Sequence, residues 1–403
     1  MTDILVRTAF PASPPPAPYP TTSRQSEIIA LADRLAVIAA ERALVHDRDN
    51  SFPFDTYDAL RESGYLTLAV PEEFGGWGAT PLEIMLGQQR LAWGDGSVAL
   101  SSTMHHLQTA GVASNMQWPP ELRERVLRDV VQHGALINSI ASEPELGSPS
   151  RGGLYKTTAT REGDHWIVDG RKTFSTLSPG LTWGVVLLTV IDGDHEPTRG
   201  TFLVKMDSPG IRIEETWDTM AMRSTGSHDV IFDHVIVPDG HRLPQAPGLP
   251  AGDLGPWNLI GSAVYLGIAT AARDFAVDFA KNRRPTAQGG KSIAELQTVQ
   301  QRVAQMELLL LEANAVLYGT AELAALQPDE RASFGWRFAA AKYIATNNAI
   351  AVTDQAMRVV GSVGLFRSNP LERYFRDVRA GLGNPPMDDV ALTTIGKAAL
   401  GVE

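Results

Sequence analysis

Residues Ser142 to Ser148 (Ser-Glu-Pro-Glu-Leu-Gly-Ser) and Lys172 to Thr176 (Lys-Thr-Phe-Ser-Thr) combine small hydroxyl side chains with bends. Each follows a strand-like run. Leu136 to Ala141 is apolar or small and leads into Ser142, after which Pro144 and Gly147 break the strand. Trp166, Val168 and Gly170 alternate with polar residues, the period of a half-buried strand, and Lys172 to Thr176 comes next. Set side by side on a sheet, two such loops offer hydroxyls and backbone N–H groups to a flat polar ring and a diphosphate.

Around these loops the texture of the chain changes twice. Residues 1–22 hold six prolines between Pro11 and Pro20 and little to bury, which predicts a disordered or extended arm. Residues 23–134 read as helices. Ile28, Leu31, Leu35 and Ile38 recur at three and four residues, and Pro81 and Pro119-Pro120 stand where helices begin. Short strands and turns take over from 135 to 240, with Trp183 to Val190, Gly200 to Val204 and Val230 to Val237 as their apolar or alternating runs. Residues 241–403 return to helix after a loop broken by Pro238, Pro244, Pro247, Pro250 and Pro256. Leu296, Val299, Val303, Met306 and Leu310 keep the spacing of an antiparallel bundle seam. The expected fold is mainly α with a central β-domain: an N-terminal helical domain, a small β-barrel or sandwich, and a C-terminal four-helix bundle.

A chain of 403 residues with 43% hydrophobic content is ample for several packed layers. The formal net charge of −11 argues against nucleic acid as a partner, which asks for a basic face. Zero cysteines remove thiol catalysis and disulfides, and fit a cytoplasmic location. Asp3 and the lack of a cationic-then-apolar start predict no signal peptide, and no uncharged apolar run of membrane-spanning length is seen. No metal is expected: His105 and His106 are adjacent, point apart on a helix, and make a poor ligand pair.

The two hydroxyl loops resemble the flavin-binding loops of the acyl-CoA dehydrogenase superfamily. Val70-Pro71-Glu72-Glu73-Phe74-Gly75-Gly76, Met220 to Ser227, Gly361-Ser362-Val363-Gly364 and Arg376-Asp377-Val378-Arg379 are similar to further family signatures, in the family's order. The resemblance implies FAD, in preference to FMN, held by Ser142 near the ring's N1/O2 side and by Ser148 near the diphosphate. It also implies Phe174 packed on the ring, Ser175 in the same loop, and Thr176 bonding N5. Arg283 matches an arginine that reaches the diphosphate of a neighbouring subunit, with Arg358 and Gly361-Ser362 assisting, so a homodimer or homotetramer is implied. Two departures stand out: Pro149 replaces the usual acid after Ser148, and Thr286 replaces a phenylalanine three residues after Arg283.

A third departure bears on the reaction. Counted from Arg376-Asp377, the family's catalytic glutamate falls at Pro385, and its alternative seat falls at Trp257. Asp388 and Asp389 are the nearest carboxylates and the candidate catalytic bases. A plainer reading makes Asn384 an N-cap, Pro385 the first helical residue, and the two aspartates dipole partners in the first turn. The histidine that marks the family's monooxygenases is Gly383 here. The leading expectation is a FAD-dependent α,β-dehydrogenation of an acyl thioester or related carbonyl substrate, free or carrier-bound, passing electrons to an acceptor. The alternatives are a flavin monooxygenase of the same fold and a flavoprotein-like scaffold without turnover.

Overall fold

A computed structural model of the chain describes residues 13–146, 153–244 and 259–402. The N-terminal layer consists of α1 (Ser23–Asp49), α2 (Phe54–Glu62), α3 (Pro81–Gly94), α4 (Gly96–Ser114) and α5 (Pro120–His133). Its helix starts are written in the sequence. Thr22 caps α1, Thr80 and Glu83 form a reciprocal capping box around Pro81 at the start of α3, and Asp95 accepts the N–H groups of Ser97 and Val98 on α4. Each such cap is worth about 1 kcal/mol. Ile28, Leu31 and Leu35 are buried on one face of α1.

The β-domain is one eight-stranded sheet: β1 (Leu136–Ile140), β2 (Thr158–Glu162), β3 (His165–Lys172), β4 (Leu181–Ile191), β5 (Thr198–Lys205), β6 (Ile211–Glu214), β7 (Asp229–Pro238) and β8 (Arg242–Leu243). Its pairing order is β6-β7-β3-β2-β4-β5-β8, and β1 joins β4. The long β4 carries β1 along its first half and β2 along its last residues, both parallel. Trp166 and Val168 face inwards, and Lys172 shares their parity. Between them the β3–β7 register shifts by one residue, with the extra residue on β7, next to Gly170, where φ is 142° and an added Cβ would lie 2.6 Å from the Thr157 Cα. Only glycine lets the backbone pass there.

The C-terminal layer holds α6 (Ile260–Asn282), α7 (Gln297–Leu326), α8 (Gly335–Val360), α9 (Leu371–Asp377) and α10 (Asp388–Leu400). Val299, Met306 and Leu310 of the seam are buried. Among the described residues α7 alone is long and apolar enough to cross a membrane by length and composition, with mean hydropathy 1.3. It packs along α8 and α6 as a bundle helix. The end of α6, the start of α7 and the end of α8 meet: Ile293 N–H donates to Arg283 O, and Arg302 to Gln355.

The Arg-Asp motif joins all three layers. Arg376 binds Asp47 of α1 at 2.6 Å, Glu372 at 2.8 Å and the Met220 carbonyl at 2.6 Å, while Asp377 accepts the Met222 N–H at 2.7 Å. Burial pushes Asp377 up to about 7, against the pull of Arg373.

Two expectations need correction. The described part of the arm, from residue 13, is docked rather than loose. Tyr19 is buried, its hydroxyl 2.5 Å from Glu322 and its ring 5.1 Å from Tyr318, and Ser13 bonds Asp274. The arm has no core of its own, but it borrows one from α6 and α7. At the other end, α10 begins at Asp388 with Met387 as its N-cap, so neither Asn384 nor Pro385 opens the helix. Pro386 is the reason: a residue preceding proline is pushed out of the helical region.

Candidate functional site

The two hydroxyl loops leave the sheet together and are bonded to each other. Thr173 N–H donates to the Ser142 carbonyl at 2.9 Å. Lys172 Nζ lies 2.7 Å from Glu143 Oε1 and 3.4 Å from the Ala141 carbonyl oxygen. Glu143 also accepts the N–H groups of Lys156 at 2.6 Å and Thr157 at 2.9 Å. Burial lowers Lys172 to about 8 despite its partner. Burial pushes Glu143 up, but its bonds to Lys172, Thr157 and Lys156 together hold it below the ordinary carboxylate value.

Phe174 sits at φ 53°, in the left-handed region, and the residue is 63% exposed. An L-residue pays roughly 1–2 kcal/mol to stand there. Trp217 meets its ring edge-on at 5.4 Å, and Trp217 is anchored through its backbone N–H to His228 Nδ1 and its indole to the Met222 carbonyl. The Thr176 hydroxyl lies 2.9 Å from that of Ser227, which lies 2.7 Å from that of Thr225. Asn138 holds the Thr176 carbonyl at 2.9 Å. Ser142 is half-buried, and Ser148 and Trp257 lie outside the described residues. Ser175 is fully buried, its N–H donates to the His228 carbonyl, and its hydroxyl has no hydrogen-bond partner among the described residues.

Arg283, Arg358, Gly361 and Ser362 are all exposed and gather at the bundle end where α6 and α8 finish. Among the described residues no bond joins them to the hydroxyl loops. The aspartates part company. Asp388 Oδ2 accepts from Asn347 at 3.1 Å, and its Oδ1 lies 3.6 Å from Lys342 Nζ, a buried ammonium that desolvation lowers. Asp389 is exposed. Beside them Asn384 donates to the hydroxyl of the buried Tyr265 at 2.5 Å, and burial raises that phenol. His105 and His106 are wholly buried, and desolvation lowers both, His105 to about 4, so they stay neutral.

Sequence reasoning missed Glu143, Asn138, Trp217, Thr225, Ser227 and Tyr265. One signal was available: Lys172 on the inward parity of β3 calls for a buried counter-charge.

This arrangement of layers and loops matches three family models of the acyl-CoA dehydrogenases: the N-terminal domain over residues 22–133, the middle domain over 139–235 and the C-terminal domain over 259–383. The chain belongs to the acyl-CoA dehydrogenase family, a class of flavoprotein oxidoreductases. The Bacillus subtilis protein YdbM, which carries an acyl-CoA dehydrogenase name, is 41% identical over 92% of this chain and 94% of its own. The amino sugar nitrososynthase RubN8 of Streptomyces rubradiris is 31% identical over 92% of this chain and 89% of its own. The structure of KijD3 with FMN and a dTDP-linked amino keto sugar superposes with a TM-score of 0.83 at 26% identity, covering 97% of each chain.

Proposed function

We propose that the chain is a flavin-dependent oxidoreductase that uses reduced flavin and oxygen on a small or carrier-bound substrate. The residues fit a flavin. Phe174 is an exposed aromatic wall held in a strained backbone position, flanked by the Thr176 hydroxyl and the half-buried Ser142. When bound, the flavin supplies the two-electron chemistry. Phe174, Thr176 and Ser142 would orient its ring, and Trp217 keeps Phe174 in place.

One observation carries the choice of reaction. The seat of the dehydrogenase base is Pro385, and Asp388 spends its carboxylate on Lys342 and Asn347 instead. A platform for flavin without a carboxylate at that seat weighs against abstraction of an α-proton, and this outweighs the Gly383 that stands in place of the monooxygenase histidine. The nitrososynthase relative and the FMN complex of KijD3 support this reading. The name carried by YdbM supports a second, α,β-dehydrogenation of an acyl thioester with electrons passed to an acceptor. The experiment is anaerobic mixing of the flavin-loaded protein with a panel of acyl thioesters, then oxygen uptake with reduced flavin. Unchanged colour in the first step and substrate-dependent oxygenation in the second are expected. Bleaching by a thioester overturns the oxygen reading and establishes dehydrogenation, and a colourless protein inert in both steps leaves the scaffold.

The flavin is FAD if Arg283, Arg358 and Gly361-Ser362 reach a diphosphate across a subunit boundary, and FMN, as in the KijD3 complex, if they do not. The mass of the released flavin decides. A homodimer or homotetramer would cover Leu308 and Leu311 of α7, which are 65% and 67% exposed. Light scattering that finds a flavin-loaded monomer removes that expectation.

A further inference from the structure

The group least at home in the site is a lysine cut off from water. The side chains of Lys172 and Glu143 are both 0% exposed. The two acceptors of Lys172 Nζ, the Ala141 carbonyl and the Glu143 carboxylate, belong to the residues immediately before and after Ser142. Thr173 then takes the Ser142 carbonyl itself. Three consecutive residues of one loop are thus held by two consecutive residues of the other. Through the N–H groups of Lys156 and Thr157, Glu143 extends the grip to the entry of β2, and the Tyr155 ring closes over Nζ at 4.2 Å.

We propose that the Lys172–Glu143 pair is the positioning device of the flavin platform: it fixes the backbone of Ser142 relative to Phe174 and Thr176, and through them flavin affinity, without touching the cofactor. This rests on the flavin reading above. An apolar pair of the same volume would join two loops with no desolvation cost, so stability alone does not call for buried charges here. What the ion pair adds is direction. A single ammonium aims its donors at acceptors on both sides of one residue, and only one register of the two loops satisfies all of them.

The test measures the dissociation constants of FAD and FMN, the flavin absorption band and the Tm of wild type, Lys172→Met, Glu143→Gln and the double variant. Each single variant is expected to bind flavin about tenfold more weakly, with a shifted band, and to melt lower because its partner's charge is left buried and unpaired; the double variant, with neither charge, is expected to regain Tm but not affinity. The double variant is expected to be no weaker than the worse single, because the two residues act as one unit. Single variants that bind as tightly as wild type overturn the proposal.

If a variant fails to fold, wild type gives the answer through pH. The groups facing Nζ are Glu143 and the Tyr155 phenol, with Arg199 over the same ring. Lys172 titrates at about 8, below its ordinary value, so above that pH the unfolded chain holds more protons and this group raises fold stability. The grip on Glu143 weakens over the same range. Flavin affinity is therefore expected to fall between about pH 7 and pH 9 while this group does not lower the Tm. Affinity that stays flat across this range overturns the proposal. Wild type that binds neither flavin at any pH sinks the flavin reading itself, which is a different result.

Discussion

Loops 141–146 and 172–177 are tied to each other and to β2 by a buried ion pair and backbone bonds, all inside the β-domain. Among the described residues the turn at 383–389 is tied only to the C-terminal helices, by Asn384 on Tyr265 and by Asp388 on Lys342 and Asn347. On the proposed reading the first region supplies the cofactor hydroxyls and aromatic wall, and the second has Pro385 where the resemblance implies a carboxylate. Because no bond among the described residues runs between them, the reaction end can change while the cofactor platform stays intact. On the proposed reading, that independence would separate what binds from what reacts.

The joint that carries the second region tests this separation hardest. Asp377 is raised to about 7 by burial, so the folded chain holds more protons than the unfolded chain between about pH 4 and 7. Stability from this group is then present at acid pH and lost as pH rises towards 7. Asp377→Asn keeps an acceptor for the Met222 N–H, and should gain on wild type by roughly 2–4 kcal/mol as pH rises from about 4 to 8, read by denaturant melts. If the regions are independent, flavin affinity does not follow that change. Coupled changes in both would break the comparison.

Phe174→Ala should weaken flavin binding by about 2 kcal/mol, through loss of an aromatic wall, with little change in Tm because the side chain is mostly exposed. Calorimetric titration checks it. Asp388→Asn leaves Lys342 without its counter-charge and should lower stability by about 1–2 kcal/mol, while flavin content and substrate turnover persist. Asp389→Asn should stay within about 0.5 kcal/mol of wild type. Turnover lost in Asp388→Asn with its Tm kept would restore the aspartate as a base. Thr176→Val removes one hydroxyl from the chain to Ser227 and Thr225, and should shift flavin potential or affinity by roughly 0.5–1.5 kcal/mol. Spectroelectrochemistry would register it, and no shift would remove Thr176 from the platform.

Much of this was legible in advance. The switch from helical to alternating periods located the three layers, and Pro81 and Pro119-Pro120 marked the starts of α3 and α5. The site was legible only as two loops. Ser175 and Thr176 are neighbours of similar type, yet one is buried, with its N–H on the His228 carbonyl, and the other half-buried, with its hydroxyl on that of Ser227, a difference no local pattern announces. The start of α10 was misplaced because the pre-proline effect at Pro385 outweighs the capping chemistry of Asn384.

The sequence by itself determined the order of the layers, the inward parity of Lys172, the hydroxyl content of the loops and the proline at position 385. These follow from local period and residue chemistry, which a linear string contains. Only the tertiary structure decided which carboxylate answers Lys172, which way Asp388 turns, that Phe174 stands exposed against Trp217, and that Tyr19 is docked on α7. Each depends on groups far apart in the chain, brought together by strand pairing and helix packing that local pattern does not specify.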